Sequence, residues 1–190
     1  MFGARYEGGG VDVRRTLETV TSAFVAEGIA FALIGGMALA ALGAPRATGD
    51  VDFLAAGERA DDVDRLLRGL GYSALHRSAD AANYVPGDAS LCRVDLLYAN
   101  RSPSRAMLSR AAPQAIHDGL AVPVVQAEDM IGLKVQASSN DPRRLVLDLA
   151  DIERLLVARR TIDLARVREY FVLFDREAEL EAMLKRVGRP

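Results

Sequence analysis

Asp50 and Asp52 are the residues whose types and spacing first point to chemistry. The stretch Asp50-Val51-Asp52-Phe53-Leu54 reads as a strand. Alternation along a strand puts both carboxylates on one face, with Val51 and Phe53 on the other. Two like charges side by side repel, so the pair is unfavourable without a partner. A divalent cation removes that penalty. Oxygen-only ligands select a hard ion such as Mg²⁺, which usually also binds substrate phosphates. A further carboxylate, Asp95, lies inside the apolar strand Leu91 to Tyr98. A carboxylate in a buried strand requires a partner. Either it accepts hydrogen bonds from arginine or backbone, or it is a third metal carboxylate brought beside Asp50 and Asp52 by strand pairing.

The elements around this pair have to position it. Phe31-Ala32-Leu33-Ile34 reads as a buried strand, and Met37 to Leu42 as a short helix ended by Gly43 and Pro45. Gly35-Gly36 lies between them. Backbone N–H groups at a helix start bind anions, and glycine lets a phosphate approach the backbone closely. One short segment therefore combines an anion cradle with a pair of metal ligands.

The ordered string of Gly35-Gly36, a helix and Arg46-Ala47-Thr48-Gly49-Asp50-Val51-Asp52 resembles the signature of the DNA polymerase beta-like nucleotidyltransferase superfamily. Its R-x-T-x-D-x-D ending is most similar to the minimal nucleotidyltransferases and to the AbiEii-type toxins of toxin-antitoxin systems. Glu128 to Leu156 also resembles the latter, with Lys134 matching a helix lysine and Asp148 an aspartate followed by Asp151-Ile152. The resemblance implies an α/β (α+β) fold, a small mixed sheet flanked by helices. It implies transfer of a nucleoside monophosphate from a nucleoside triphosphate to a hydroxyl, with release of pyrophosphate. Asp50, Asp52 and Asp95 then bind two Mg²⁺ ions, and Asp95 also accepts the proton of the attacking hydroxyl. Gly35 and Gly36 cradle the triphosphate. Arg46, Thr48 and Lys134 join the nucleotide-binding set, and Asp148 orients Lys134 or Arg46. The implied acceptors are transfer RNA or a protein, and the implied partner is a cognate antitoxin. Met37 and Leu147 depart from the pattern, standing where relatives carry Ser or Thr and a basic residue, respectively. Two alternatives remain open: a non-catalytic binding module of the same fold, and an antibiotic nucleotidyltransferase acting on a small hydroxylated substrate.

The whole chain suits this reading. Its 190 residues are 50% hydrophobic and 26% charged, enough for one compact domain with a sizeable core. Residues 1–126 are expected to form the nucleotidyltransferase core, with residues 127–190 a helical part packed on it. A net charge of -2 excludes a global basic footprint for nucleic acid. Arg143, Arg144, Arg154, Arg159 and Arg160 could still form a basic strip for an RNA backbone, or equally a solvated helical face. Cys92 is the single cysteine, which excludes an intramolecular disulfide and reads as a packed core thiol. No signal-peptide pattern or membrane-spanning apolar run is present, so a cytoplasmic location is expected.

Apolar spacing predicts helices over Val11 to Glu27, Ala60 to Leu70, Pro103 to Arg110, Glu128 to Ala137, Arg143 to Arg159, Asp163 to Phe174 and Arg176 to Val187. Strands are expected over Gly71 to Leu75 and Ala82 to Val85, and a strand-turn-strand over Ala115 to Val125 around Asp118-Gly119. Met1 to Gly10 is glycine-rich and expected to be irregular. Asp61, Asp62 and Asp64 read as a solvated face near a helix start, and His76 as a surface or capping residue.

Overall fold

The computed structural model describes residues 11–117 and 119–189. Met1 to Gly10 and Asp118, for which irregular structure and a turn were expected, lie outside the described residues.

The first element of the described residues is helix α1, Val13–Ala26, capped by the Asp12 side chain, which accepts from the Arg15 N–H. Strand β1, Phe31–Ile34, runs directly into helix α2, Gly35–Ala41, and strand β2, Asp50–Ala56, follows. Next come α3, Ala60–Gly69, and strands β3, Tyr72–Arg77, β4, Ala81–Pro86, and β5, Arg93–Ala99. Helix α4, Ser102–Arg110, leads to the hairpin strands β6, Ala112–His117, and β7, Leu120–Val124. Four helices finish the chain: α5, Ala127–Asn140, α6, Leu145–Ala158, α7, Leu164–Val172, and α8, Glu177–Arg186.

The strands form one mixed sheet in the order β3-β4-β5-β2-β1-β7-β6. The β2·β5 and β1·β7 pairings are parallel, and the others are antiparallel. The architecture is therefore the expected mixed α/β fold, a sheet flanked by helices.

One sheet face is apolar because alternation on β2 sends Val51 and Phe53 to it, both fully buried. Helix α1 covers this face with Leu17, Val20 and Phe24. Phe24 and Phe53 meet edge to face with ring centroids 5.5 Å apart, and Phe31 joins them at 5.2 and 5.8 Å. The other face carries the β2 carboxylates, and α5 faces them across a cleft. Helix α5 is tied to its neighbours through its own Asp129, a buried carboxylate that accepts from Arg110 of α4 at 2.7 Å and from the Tyr170 hydroxyl of α7 at 2.7 Å.

Several element ends differ from the apolar spacing, each for a local reason. The helix expected from Arg143 starts later, because Pro142–Arg144 forms a 3-10 turn capped by the Asp141 side chain. Asp163 caps α7 from outside, accepting from the Ala165 and Arg166 N–H groups. That helix ends before Asp175, which has a left-handed backbone at φ 55°. Strand β3 continues past Leu75 through a bulge. No helix among the described residues is long and apolar enough to cross a membrane.

Candidate active site

Strand register assembles the acidic part of the site. Asp52 on β2 lies directly opposite Asp95 on β5, and Asp95 lies opposite Asn83 on β4. Register partners share a sheet face, so Asn83, Asp95 and Asp52 form a row across three adjacent strands. Asp50 is two residues before Asp52 on that face, opposite Arg93. The Asn83 Nδ2 donates to Asp95 Oδ1 at 2.8 Å. Burial, with Asp95 and Asp50 nearby, pushes the Asp52 carboxyl up to about 6. A hydrogen bond from the Gly36 N–H and the field of Lys134 oppose that rise.

The two glycines let the loop between β1 and α2 come close to this row. Gly35 has φ 63°, a backbone that side chains rarely adopt, and a Cβ there would lie 1.9 Å from Asp52 Oδ2. A Cβ on Gly36 would lie 2.6 Å from the Thr48 Cβ. The Thr48 hydroxyl donates to the Asp50 carbonyl at 3.4 Å. The glycines expected to cradle phosphate thus also make room for the Asp52 and Thr48 side chains, and one of their N–H groups is turned to Asp52.

A cationic group faces the acidic row. Lys134, on the inner side of α5, is buried with its Nζ 2.8 Å from both Asp148 and Asp151. The two aspartates are wholly buried and three residues apart on α6, so one helix face presents both. Arg46 reaches Asp151 at 3.2 Å, Arg144 reaches Asp148 at 3.1 Å, and Arg154 reaches Asp151 at 3.1 Å. Four cations therefore surround two carboxylates. Asp148 meets Lys134 and not Arg46; Asp151 is the residue that joins the two cations. The sequence offered only the Asp148-to-Asp151 spacing as a sign of this. Asn83 was missed altogether, because it belongs to no motif; its sole signal is a polar residue alternating with Ala82 and Tyr84, both fully buried.

Between the two groups lies a cleft of about 350 Å³. Asp52, Asn83 and Asp95 line one wall, and Met130, Leu133 and Lys134 the other. As they stand, no three His, Cys, Asp or Glu side chains among the described residues converge on a metal position. The donors nonetheless fit a hard divalent cation. They are all oxygen, they sit in neighbouring register positions, and the Asp52 carboxyl, raised first by burial and then by the Asp95 and Asp50 charges, has like charges beside it that a cation would offset.

Other charged residues singled out in the sequence are occupied elsewhere. Asp62 pairs with Arg59 and Arg65, Asp64 with Arg68 and Arg77, and Asp61 with Arg77. In the suggested basic strip Arg143 pairs with Asp141, and Arg144 and Arg154 hold Asp148 and Asp151. Cys92 is buried beside Thr16, and burial pushes its thiol up.

The fold has counterparts among solved structures. The antibiotic-resistance factor ANT(2'')-Ia is similar over 88% of this chain and 94% of its own, at 19% identity and a TM-score of 0.63. An antigenic nucleotidyltransferase-like protein from Paracoccidioides brasiliensis is similar over 91% and 94%, at 17% identity and a TM-score of 0.56. The lincosamide antibiotic adenylyltransferase LnuA is similar over 79% and 99%, at 14% identity and a TM-score of 0.56. The fold is thus that of the nucleotidyltransferases. No curated protein matches the sequence. A family described as nucleotidyl transferase of unknown function (DUF2204) matches residues 13–189, and the chain belongs to it. By class the protein is a nucleotidyltransferase.

Proposed function

We propose that this protein transfers a nucleoside monophosphate from a nucleoside triphosphate to a hydroxyl acceptor in an Mg²⁺-dependent reaction, using the cleft between the carboxylate row and Lys134. The observation that carries this reading is the register pairing of Asp52 with Asp95, facing a buried lysine across the same cleft. Asp50, Asp52 and Asp95 would hold two Mg²⁺ ions. Bound there, the metal supplies charge neutralisation at the triphosphate. The acceptor hydroxyl attacks the α-phosphorus, the bond to the β-phosphate oxygen breaks, and pyrophosphate leaves. Asp95 takes the hydroxyl proton. Lys134 gives positive charge on the triphosphate side of the cleft, kept in place by Asp148 and Asp151. Arg46 braces the same pair through Asp151. Gly35, Gly36 and Thr48 shape the loop on which the triphosphate rests.

Two observations favour a small hydroxylated acceptor. The cleft is compact and has Met130 and Leu133 on one wall. Three of the five arginines suited to an RNA backbone are committed to carboxylates. Among the structural neighbours, ANT(2'')-Ia has been seen with adenylyl-2''-tobramycin and LnuA with lincomycin. A toxin acting on transfer RNA or protein, held by an antitoxin, is the second reading. Its support is the Arg46, Lys134 and Asp148 pattern that resembles the AbiEii-type toxins.

Label transfer tests both readings. The protein and its Asp52→Ala variant are incubated with Mg²⁺ and each α-³²P nucleoside triphosphate, in cell extract and with panels of hydroxylated antibiotics. Asp52-dependent label on a small molecule supports the first reading. Asp52-dependent label in RNA or protein supports the second. Equal labelling by Asp52→Ala overturns the mechanism.

A further inference from the structure

We infer that Asn83 is a positioning residue, which holds the Asp95 carboxylate in the orientation that receives a divalent cation. The inference rests on the metal-binding role proposed above for Asp95.

Asn83 sits on β4, which is paired on both sides, by β3 and by β5. Asparagine is disfavoured in such a strand, and its neighbours Ala82 and Tyr84 are fully buried on the opposite face. A residue that breaks the local preference inside a well-packed sheet needs a compensating contact. That contact is the 2.8 Å hydrogen bond from Nδ2 to Asp95 Oδ1, made between register partners.

The position of this bond decides its consequence. Asp95 has a neighbour on each side along the row. Toward β2 stands Asp52, a like charge. Toward β4 stands Asn83, a donor. Repulsion on one side and a charge-assisted bond on the other both draw Oδ1 toward β4. Oδ2 accepts no hydrogen bond from the described residues, so it remains available on the cleft side. Without the amide, the Asp95 side chain can rotate, and the site loses a preset ligand. Such supporting contacts to metal ligands are worth about 10- to 100-fold in metal affinity.

The strand outside β4 carries a device that bears on Asn83. The β3·β4 register passes from Ala74↔Tyr84 to His76↔Asn83, so Leu75 is an extra residue in a bulge beside Asn83. Bulges bend and twist a strand locally and re-aim side chains next to active sites. Here the bulge lies across from Asn83, the one polar side chain among the described residues that hydrogen-bonds the Asp95 carboxylate.

The test uses Mn²⁺ as the probe, with the metal-free full chain and no acceptor. The loss of the free Mn²⁺ electron paramagnetic resonance signal gives the affinity of wild type, Asn83→Ala, Asn83→Ser and Asp52→Ala. Thermal unfolding of each metal-free protein is measured beside it. The expected result is Mn²⁺ binding by wild type, about tenfold or more weaker in both Asn83 variants, with metal-free melting little changed. The serine hydroxyl is too short to replace the amide, and it serves where the alanine variant folds poorly. Asp52-dependent Mn²⁺ binding that is equally tight in wild type and both Asn83 variants overturns the positioning role alone. No Asp52-dependent Mn²⁺ binding by wild type overturns the metal-binding reading, and the inference with it.

Discussion

Asp52 and Asp95 lie opposite each other in the parallel pairing of β2 with β5, two carboxylates on neighbouring strands with Asp50 close by on the same face. The arrangement is costly to the metal-free fold. Asp52 is half-buried, and desolvation together with the Asp95 and Asp50 charges pushes its carboxyl up to about 6 from an ordinary value of 3.8. On the proposed reading Mg²⁺ would turn that cost into affinity, because the Asp95 and Asp50 charges that add to the effect of burial on Asp52 would also attract a cation.

The first prediction concerns pH. Between about 4 and 6 the folded protein keeps a proton on Asp52 that the unfolded chain has released. The folded state binds more protons there, so this group's contribution to stability falls as pH rises through that window and is flat above it. A shift of this size corresponds to a loss on the order of 2–3 kcal/mol. Asp52→Asn removes the effect while keeping the shape. In chelator-treated protein its stability advantage should grow from pH 4 to pH 6 and then level off. Urea unfolding of both proteins at pH 4, 5, 6 and 8 measures it; an advantage that shrinks with rising pH contradicts the assignment.

Metal addition should act in the opposite sense. If, as proposed, Mg²⁺ binds the folded row and not the unfolded chain, it should raise Tm. At a hundredfold excess over Kd the stabilisation is about 2.7 kcal/mol. For a domain of this size that is roughly 5–10 °C. Asp95→Asn should lose most of the shift, which differential scanning calorimetry with and without Mg²⁺ will show.

Lys134 should matter to the fold as well as to the reaction. It lies between two fully buried carboxylates. Removing one partner of a buried ion pair costs about 3–5 kcal/mol, because it leaves charge uncompensated. Lys134→Met should therefore destabilise the protein by about that amount. Adding Asp148→Asn should recover part of the loss, since Arg46 and Arg154 still compensate Asp151. A double-mutant cycle in urea reads this coupling directly, and strict additivity would show that the network is not coupled.

Gly35 admits no side chain. Its backbone is left-handed, and a Cβ would occupy the space of the Asp52 carboxylate. Gly35→Ala should cost at least about 1 kcal/mol and should also weaken Mg²⁺ binding by displacing Asp52. Gly43→Ala is the comparison, since Gly43 also has a positive φ but meets only Ala158 at 3.7 Å. It should lose stability and keep its metal affinity. Calorimetric titration with Mg²⁺ separates the two.

Much of this was legible in the chain because it depends on local periodicity. Alternation alone puts Asp50 and Asp52 on one face of β2, and a glycine pair between an apolar strand and a helix marks the tight turn beside them. The i,i+3 spacing of Asp148 and Asp151 places both on one side of α6. Sheet order is not local. That β5 lies against β2 with Asp95 level with Asp52, and that β4 brings Asn83 to Asp95, follows from crossover connections that bury the sheet's apolar face under α1, and no residue spacing encodes it. Charge pairing is not local either. Arg46 and Asp151 are 105 positions apart and meet because α6 packs on α5. Three of the five arginines that could form a basic strip in the sequence, Arg143, Arg144 and Arg154, become counter-charges of carboxylates once α5, α6 and their connecting turn fold together. Burial is the deciding force: a carboxylate withdrawn from water must find a cation, and only the packed structure determines which one is within reach.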